Sequence, residues 1–428
     1  MKLHKLLHPK EQIIKIIDRI YKRGMTTTSG GNVSIKDEEG NIWITPSAVD
    51  KGTLRTSDII CVKENGEVIG PHKPSSEFPF HKAIYEIRED IKAIIHAHPP
   101  ALVSFSIVHK IPNTNVIPQA KNACGPIGYA TYELPGSEQL GAVIAKEFAK
   151  GFKAVIMENH GIVLGGTDMD DAYQRFETLE FCASTLLYGK MLGHPQYLTD
   201  AEIAAFYDQV EELPEQSATA RHPPLEREKR ALIRDIVKRA CRQGLMISSY
   251  GTVSVRWKDN DFLITPRDFS RWEIELDDII QITDGKREAG KTPSRATRIH
   301  HEIYKRNPGV NSIIMTQSPY LMAFGVTNTH MDVRTIPESW IFLQDLVAYP
   351  FGNQFMTAMN QELLEEARPA VIVQNDSVWV TGDELLQTFD RLEVAEFSAK
   401  SLVLGSALGK LRPINQKQIT ELKEKFLD

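Results

Sequence analysis

Cysteine is scarce in this sequence, and long hydrophobic runs are absent. The four cysteines are scattered singly, without the paired spacing of a disulfide framework or a structural zinc site, which indicates free thiols in a reducing cytosol. No uninterrupted apolar stretch reaches the roughly 18 residues of a membrane span, and no signal-like apolar core follows the first residues. We therefore predict a cytoplasmic protein with no membrane partner.

An excess of positive charge is also lacking. The 50 Lys and Arg residues are outnumbered by 56 Asp and Glu residues, and the net charge is -6 with the two signs interspersed. Without a basic stripe, the sequence does not favour a nucleic-acid partner. The hydrophobic fraction of 42% is ordinary for a globular protein, and 428 residues exceed one hydrophobic core, so about two or three domains are expected.

The chain contains an internal repeat. Residues of the first part recur 220 positions later: Gly24, Gly31, Ser34, Thr45 and Pro46 correspond to Gly244, Gly251, Ser254, Thr265 and Pro266. The displacement is 219 between Pro100 and Pro319 and 216 between Gly166 and Gly382, and the order is kept throughout. A period this long indicates domain duplication, because solenoid repeats are far shorter. We predict domains at 1–195 and 227–428, joined by a polar, turn-prone linker at 196–226.

Each copy mixes helical and strand patterns. Apolar residues at helical spacing open the first copy at Ile13, Ile16, Ile17 and Ile20. Short β-branched strands are predicted near 33–35 and 42–44, then a helix at 80–87, a strand at 93–98, and two strands, 154–157 and 162–164, joined by a turn. The pattern predicts an α/β fold made of two tandem three-layer α/β/α domains, with the strand order left open.

Two histidines share one face of the strand at 93–98. His96 and His98 are two residues apart, so both side chains project to the same side, and Pro99 ends the strand directly after them. In the second copy, Met315 and Gln317 stand at these positions. A lone histidine is usually a satisfied polar group at a strand end, but this pair is lost as a set in an otherwise similar segment. The pair therefore indicates two metal ligands.

A third histidine and a glutamate follow the same pattern of loss. His160 lies on the predicted turn and is replaced by Asp376, and Glu77 is replaced by Ala296. Three imidazoles with an open fourth position are typical of a catalytic zinc site, although manganese, iron or cobalt also fit. His81, in contrast, is still a histidine in the second copy, as His300, and is therefore interpreted as a structural residue.

Ser75 and Ser76 precede the helix predicted at 80–87. Free backbone amides and the helix dipole favour an anion there, so the two hydroxyls are a candidate phosphate cradle. The alternative is N-capping by Ser75 or Ser76 with Glu77 as a first-turn charge. The second copy carries its own basic group, for which a solvated helix face is favoured over an anion pocket: Arg295, Arg298, His300 and His301.

These motifs, in this order, resemble those of the class II aldolase and adducin head-domain family. The segments that carry the resemblance are Gly31–Ser34, Ile44–Pro46, Pro74–Glu77, His96–His98 and Glu158–Gly161. The resemblance covers about residues 8–192 and, in degenerate form, 227–408. One departure is Ala48 after Thr45-Pro46-Ser47, where relatives often carry glycine.

The resemblance implies a function and its residues. It implies a Zn²⁺ ion (or another divalent metal) on His96, His98 and His160, Glu77 as general acid/base, and a tyrosine, Tyr129, donated across a subunit contact in a homo-oligomer. The phosphate of a small-molecule sugar phosphate would contact Asn32, Ser47, Ser75 and Ser76. In a ring built from both copies, Tyr349 is one candidate for the place of Tyr129.

The implied reaction is metal-dependent cleavage of a ketose 1-phosphate, such as L-fuculose 1-phosphate. A metal-stabilised enediolate would lead to dihydroxyacetone phosphate and an aldehyde. Sugar-phosphate decarboxylation, dehydration and epimerisation occur on the same scaffold, and the epimerase typically has Asp in place of Glu77. A non-catalytic adducin-like interaction module is the alternative from another class, and it fits the second copy, which lacks the metal ligands.

Overall fold

The computed structural model describes residues 6–208, 212–217, 222–352 and 368–427. Two compact units divide within one long helix: one holds the chain up to Thr114 with Gln119–Ser184, and the other holds Asn115–Pro118 with the described residues from Thr185 onward. Each unit contains one eight-stranded sheet. Within the described ranges, no helix combines the length and apolar character needed to cross a membrane.

The elements of the first copy follow the predicted alternation. The helices are α1 Pro9–Lys22, α2 Phe78–Ile87, α3 Pro100–Ile107, α4 Pro118–Cys124, α5 Glu138–Ala149 and α6 Met169–Leu192. The strands are β1 Asn32–Lys36, β2 Ile42–Ile44, β3 Ile60–Val62, β4 Val68–Ile69, β5 Ala93–Ala97, β6 Gly128–Ala130, β7 Ala154–Met157 and β8 Gly161–Gly166.

A helix, α7 Asp200–Asp208, lies in the segment predicted as linker, and the first helix of the second copy begins at Pro224. The remaining helices are α8 Pro224–Gln243, α9 Thr297–Arg306, α10 Pro319–Thr327, α11 Pro337–Leu343, α12 Leu385–Ser406 and α13 Gln416–Phe426. The strands are β9 Thr252–Lys258, β10 Asp261–Ile264, β11 Ile280–Thr283, β12 Lys286–Arg287, β13 Ser312–Thr316, β14 Val347–Tyr349, β15 Ala370–Val373 and β16 Ser377–Gly382.

Both sheets have the same strand order. The first runs β4-β3-β2-β1-β5-β8-β7-β6, and the second repeats it as β12-β11-β10-β9-β13-β16-β15-β14. Neighbouring strands are antiparallel except β6 with β7 and β14 with β15, which are parallel. The strand that contains His96, β5, therefore lies in the interior of its sheet, between β1 and β8, and His98 follows directly after its last residue.

Helices cover the sheet and place α2 over β5. Apolar residues of α2 and α5 pack with alternate residues of β5, β7 and β8 in one buried core that includes Phe80, Ile84, Ile94, Ile144, Phe148, Val155 and Val163. Each large apolar side chain buried in this way stabilises the fold by about 2–3 kcal/mol. The helix that Glu77 precedes is thus fixed against the strand face from which His96 projects.

Candidate active site and metal centre

His96 is held by the interior of the sheet. Its side chain is fully buried, and its Nδ1 lies 2.9 Å from the carbonyl oxygen of Ile162 on β8. A carbonyl oxygen only accepts, so Nδ1 carries a proton and donates, and Nε2 is the nitrogen that remains for a metal. This backbone bond therefore fixes the tautomer that a metal ligand requires.

The turn that carries His160 is anchored by a serine. The backbone N–H of His160 donates to Ser106 Oγ at 2.9 Å, and the same hydroxyl donates to the carbonyl oxygen of Met157 at 2.8 Å. The next residue, Gly161, is required by space: a Cβ there would lie 2.6 Å from the Ala97 oxygen and 2.7 Å from Cδ2 of His98. The missing side chain thus lets the turn approach the histidine pair.

The three imidazoles converge. One ring nitrogen from each of His96, His98 and His160 lies within 4.8 Å of the others, and the ring centroids are 4.7 to 5.0 Å apart. Nε2 of His98 is buried without a hydrogen-bond partner among the described residues. Buried nitrogen atoms oriented in this way are suited to a divalent metal with imidazole ligands. In the part of the chain that the structure describes, this is the one such cluster of His, Cys, Asp or Glu side chains.

The protonation of the cluster suits metal binding. Burial, with the charge of His96, lowers the pKa of His98 to about 3 and that of His160 to about 4, so both are neutral ligands at pH 7. Burial alone would also lower the pKa of His96, but the adjacent Glu77 carboxylate reverses this and raises it.

Glu77 lies beside the cluster. Its Oε2 is 3.1 Å from His96 Nε2, and its Oε1 is 3.3 Å from His160 Nε2. Burial would raise the pKa of this carboxyl, but His96, His160 and the amide of Asn32, which donates to Oε2 at 2.7 Å, together lower it. The helix N-cap position is Glu77 itself, and its side chain makes no capping bond.

A buried hydrogen-bond chain leads to this carboxylate. Because the Asn32 amide donates to Glu77, its Oδ1 accepts from His81 Nε2. His81 Nδ1 then accepts from the Ser34 hydroxyl at 2.7 Å, and Ser34 Oγ accepts from the Tyr85 hydroxyl at 2.8 Å. Burial lowers the pKa of His81 to about 3, which keeps this neutral tautomer. Every donor in the chain points towards Glu77 and stabilises its ionised form.

The second copy keeps the first bonds of this hydrogen-bond chain and loses the last ones. Ser254 Oγ lies 2.7 Å from His300 Nδ1 and 2.7 Å from the Tyr304 hydroxyl. Thr252 replaces the asparagine, however, and pairs with Ser294 at 2.6 Å, and His300 Nε2 has no partner within the described ranges. Sequence reasoning missed Ser34 and Tyr85, although the persistence of both in the duplicate was a usable signal.

The predicted phosphate residues lie on neighbouring segments. The segments around Ser47 and Ser75 are joined by two backbone bonds, Ser47 N–H to Lys73 and Ser75 N–H to Thr45, so neither amide is free for an anion. Ser75 Oγ accepts from the Glu77 N–H at 3.3 Å, whereas Ser76 is exposed. The amide of Asn32 serves Glu77 and His81. Ala48, at the departure from the family pattern, has a left-handed φ of 55°, a conformation that glycine adopts without strain.

Tyr129 is not hydrogen-bonded to the cluster. Its hydroxyl oxygen is buried and makes no hydrogen bond to any residue that the structure describes, and burial followed by the Glu158 charge raises its pKa. Tyr129 pairs with Ile156 in the sheet, and the equivalent pair in the second copy is Ala348 with Ile372. Ala348, and not Tyr349, therefore stands at the position of Tyr129 in the second copy.

One further pair beside the His160 turn was missed. His109, which is exposed, has Nε2 2.9 Å from Asn159 Oδ1 and Nδ1 3.2 Å from Glu158 Oε1. In the second copy the same place holds neutral amides, with Gln374 donating to Asn328. Both copies thus have a side-chain contact at this place, but only the first copy makes it with a histidine and a carboxylate.

Comparison with known proteins identifies the family. A model described as the class II aldolase and adducin N-terminal domain matches residues 11–187 and again residues 231–403. The chain belongs to this family. The two matches confirm the duplication and the tandem α/β class II aldolase fold.

Three relatives each match less than half of this chain and almost all of their own length. The class II aldolase chain is 33% identical over 198 residues to a 5-deoxy-D-ribulose 1-phosphate aldolase of Bacillus thuringiensis serovar kurstaki, covering 45% of this chain and 91% of that protein. It is 38% identical over 171 residues to an L-fuculose phosphate aldolase of Methanocaldococcus jannaschii (40% and 91% covered). It is 30% identical over 202 residues to a 3-oxo-tetronate 4-phosphate decarboxylase of Haemophilus influenzae (46% and 95% covered). All three names describe lyases, which supports an enzyme.

Proposed function

We propose that the first copy is a zinc-dependent aldolase that cleaves a ketose 1-phosphate to dihydroxyacetone phosphate and an aldehyde. The observation that carries this proposal is the position of Glu77, whose two carboxylate oxygens face the Nε2 atoms of His96 and His160. An acid/base group directly beside three convergent imidazoles is the arrangement that carbon-carbon cleavage next to a carbonyl requires.

His96, His98 and His160 would hold the ion through their neutral imidazoles. A bound divalent ion supplies a Lewis acid that polarises the substrate carbonyl and stabilises the negative charge that develops beside it. Manganese, iron or cobalt would supply the same chemistry, and zinc is preferred because of the all-imidazole ligand set.

Glu77 would move the proton at carbon. In cleavage, the C4 hydroxyl would give its proton to the ionised Glu77, and the C3–C4 bond would break with its electron pair remaining on C3. Glu77 would then deliver that proton to C3 and return to its carboxylate form, which the chain of donors that ends at Asn32 stabilises. Tyr129 is assigned to the aldehyde oxygen, in a homo-oligomer that brings it to a neighbouring site. Asn32, Ser47, Ser75 and Ser76 are assigned to the phosphate.

Decarboxylation of an oxo-tetronate phosphate is the second candidate. It is favoured by the 30% identity to the 3-oxo-tetronate 4-phosphate decarboxylase, a degree of similarity close to that of the aldolase relatives. Both reactions leave an electron pair on the carbon next to a carbonyl, so the same residues serve either one.

A panel assay tests the proposal. The purified chain with zinc is offered L-fuculose 1-phosphate, 5-deoxy-D-ribulose 1-phosphate and a 3-oxo-tetronate 4-phosphate, and aldehyde and carbon dioxide are measured separately. Carbon dioxide release without aldehyde would select the decarboxylase. Glu77→Gln should abolish turnover while about one zinc per chain remains bound, and Gln317→Ala, at the equivalent of His98 in the second copy, is the matched control that keeps activity. Near-normal turnover by Glu77→Gln, or absence of bound metal in the unaltered chain, contradicts the proposal.

A further inference from the structure

The second copy keeps the backbone of the phosphate segments but changes their side chains. The bridge between Pro46 and Pro74 recurs between Pro266 and Pro293, and the Ser47-to-Lys73 backbone bond recurs between Arg267 and Thr292 at the same 3.0 Å. In this preserved frame, the position of Ser47 holds Arg267, and the position of Ser76 holds Arg295. A guanidinium group can donate two parallel hydrogen bonds to a phosphate, whereas a serine hydroxyl can donate only one.

The basic group of the second copy does not form one solvated helix face. Arg298 lies on the exposed surface of α9, whereas His300 is buried in the core, where it contacts Ser254. Arg295 instead precedes α9 and is half-buried, and Arg267 lies close enough for its charge to lower the pKa of Arg295, after the larger effect of burial. Two cations therefore share one partly buried place.

Both guanidinium groups hold an unused donor. Nε of Arg267 and Nε of Arg295 are buried without a hydrogen-bond partner among the residues described. A buried donor without a partner costs about 1–3 kcal/mol, and more for a charged group, so two of them in one place point to an acceptor. Buried hydroxyls of Thr252 and Ser294 stand beside them, at the positions of Asn32 and Ser75.

The linker helix α7 covers this place. The rings of Phe206 and Tyr207 lie 4.3 and 4.7 Å from the Arg295 guanidinium, which also donates to the Phe206 carbonyl. Two carboxylates act on Arg295 as well: Asp376 is buried, and Asp268 is exposed. An anion that enters here must share Arg295 with Asp376.

We propose that the second copy is a non-catalytic anion site that binds a phosphate monoester, such as a sugar phosphate, between Arg267 and Arg295 beneath α7. It lacks a counterpart of Glu77 and of the three histidines, so the bound molecule is held without being cleaved.

Two measurements test this site. Calorimetry measures the affinity for phosphate, and hydrogen exchange followed by mass spectrometry locates where it binds. Inorganic phosphate and dihydroxyacetone phosphate are each added to the unaltered chain after metal chelation. Both should slow exchange in 200–208 and 292–297; tighter binding of the sugar phosphate would identify the monoester as the preferred ligand, and equal binding would identify free phosphate. Arg267→Ala and Arg295→Ala should each weaken binding roughly tenfold to a hundredfold. Arg298→Ala is the matched control without effect.

Two more variants keep the test decisive if Arg295→Ala disturbs α7. Arg295→Lys keeps the charge and stem but not the planar fork, so binding should be weaker while α7 stays protected. Asp376→Asn removes the competing carboxylate and should tighten binding. The proposal is overturned if phosphate protects only the first copy, if no variant changes its affinity, or if Arg295→Ala exposes α7 while Arg267→Ala binds phosphate normally, because the arginines then only anchor the helix.

Discussion

Two buried glutamates make stability depend on pH in a predictable direction. Glu180 on α6 accepts the backbone N–H groups of Ala101 and Leu102 at 3.1 and 3.0 Å, at the start of α3. Glu396 on α12 accepts the equivalent groups at the start of α10 at 3.0 and 2.9 Å. Burial raises the pKa of each carboxyl to about 7, against the opposing effect of the backbone bonds.

The sign and size follow from the difference between folded and unfolded pKa. The ordinary value is 4.5, so the folded protein binds each proton more tightly, by about 2.5 pKa units or roughly 3 kcal/mol. This contribution is fully present below pH 4.5 and is lost as the pH rises to about 7. Glu180 and Glu396 should therefore each lower the free energy of unfolding by up to about 3 kcal/mol between these limits.

Glutamine removes the titration and keeps one acceptor oxygen. Glu180→Gln should remove this contribution to the pH dependence of the first copy's unfolding transition, and Glu396→Gln should remove it from that of the second. The assay is urea unfolding at about pH 5 and pH 8, followed by fluorescence. A Trp43→Phe background reports the second copy, because the other four of the five tryptophans lie there.

Glu424→Gln, an exposed change on α13, is the control. If Glu180→Gln and Glu396→Gln unfold with the same difference between the two pH values as the unaltered chain, the assignment of the raised pKa to these residues is refuted.

Three further predictions concern the site. Gly161→Ala should weaken zinc binding roughly tenfold to a hundredfold, measured by calorimetry, because its Cβ would displace His98; unchanged affinity would contradict the packing argument. Asn32→Thr should lower kcat roughly a hundredfold with zinc retained, because the donor to the Glu77 carboxylate is removed. Steady-state kinetics measures this change, and a loss of less than about threefold would contradict the prediction. The double change His109→Asn with Glu158→Gln copies the amide pair of the second copy and should keep zinc affinity within about threefold, whereas His109→Ala alone should weaken it about tenfold.

Much of the site could be predicted from sequence because the duplicate separates shared residues from lost ones. The convergence of His96, His98 and His160 was inferred from coordinated loss, and the structure places the three rings together. Glu77 was inferred in the same way and lies beside them. Strand order could not be inferred, because it depends on pairing between distant segments, such as β1 with β5 and β5 with β8.

Other features escaped for local physical reasons. The position of Tyr129 in the second copy is held by Ala348, one residue before Tyr349, because the displacement between the copies changes from 220 to 219 before β14. A shift of one residue turns a strand side chain to the opposite face. Helix α7 was missed because its polar surroundings indicate a linker, although Ile203 and Phe206 are buried. The donor chain through Ser34 and Tyr85 was missed because a strand serine and a helix tyrosine show no link in sequence.

The two copies also separate the polar residues that the fold needs from those that chemistry needs. Glu180 and Ser34 satisfy buried partners, and both persist in the second copy, because losing either would leave a buried donor or acceptor unsatisfied. His98 instead holds a buried Nε2 without a hydrogen-bond partner in the described part of the chain, which costs free energy unless a ligand uses it. His96 and Glu77 depend on each other, because His96 Nε2 lies 3.1 Å from the buried Glu77 carboxylate and the loss of either one alone would leave the other buried without its charged partner. This is a physical reason for both to disappear together, and it predicts that His96→Met destabilises the metal-free first copy more than His96→Met with Glu77→Ala does, as measured by urea unfolding.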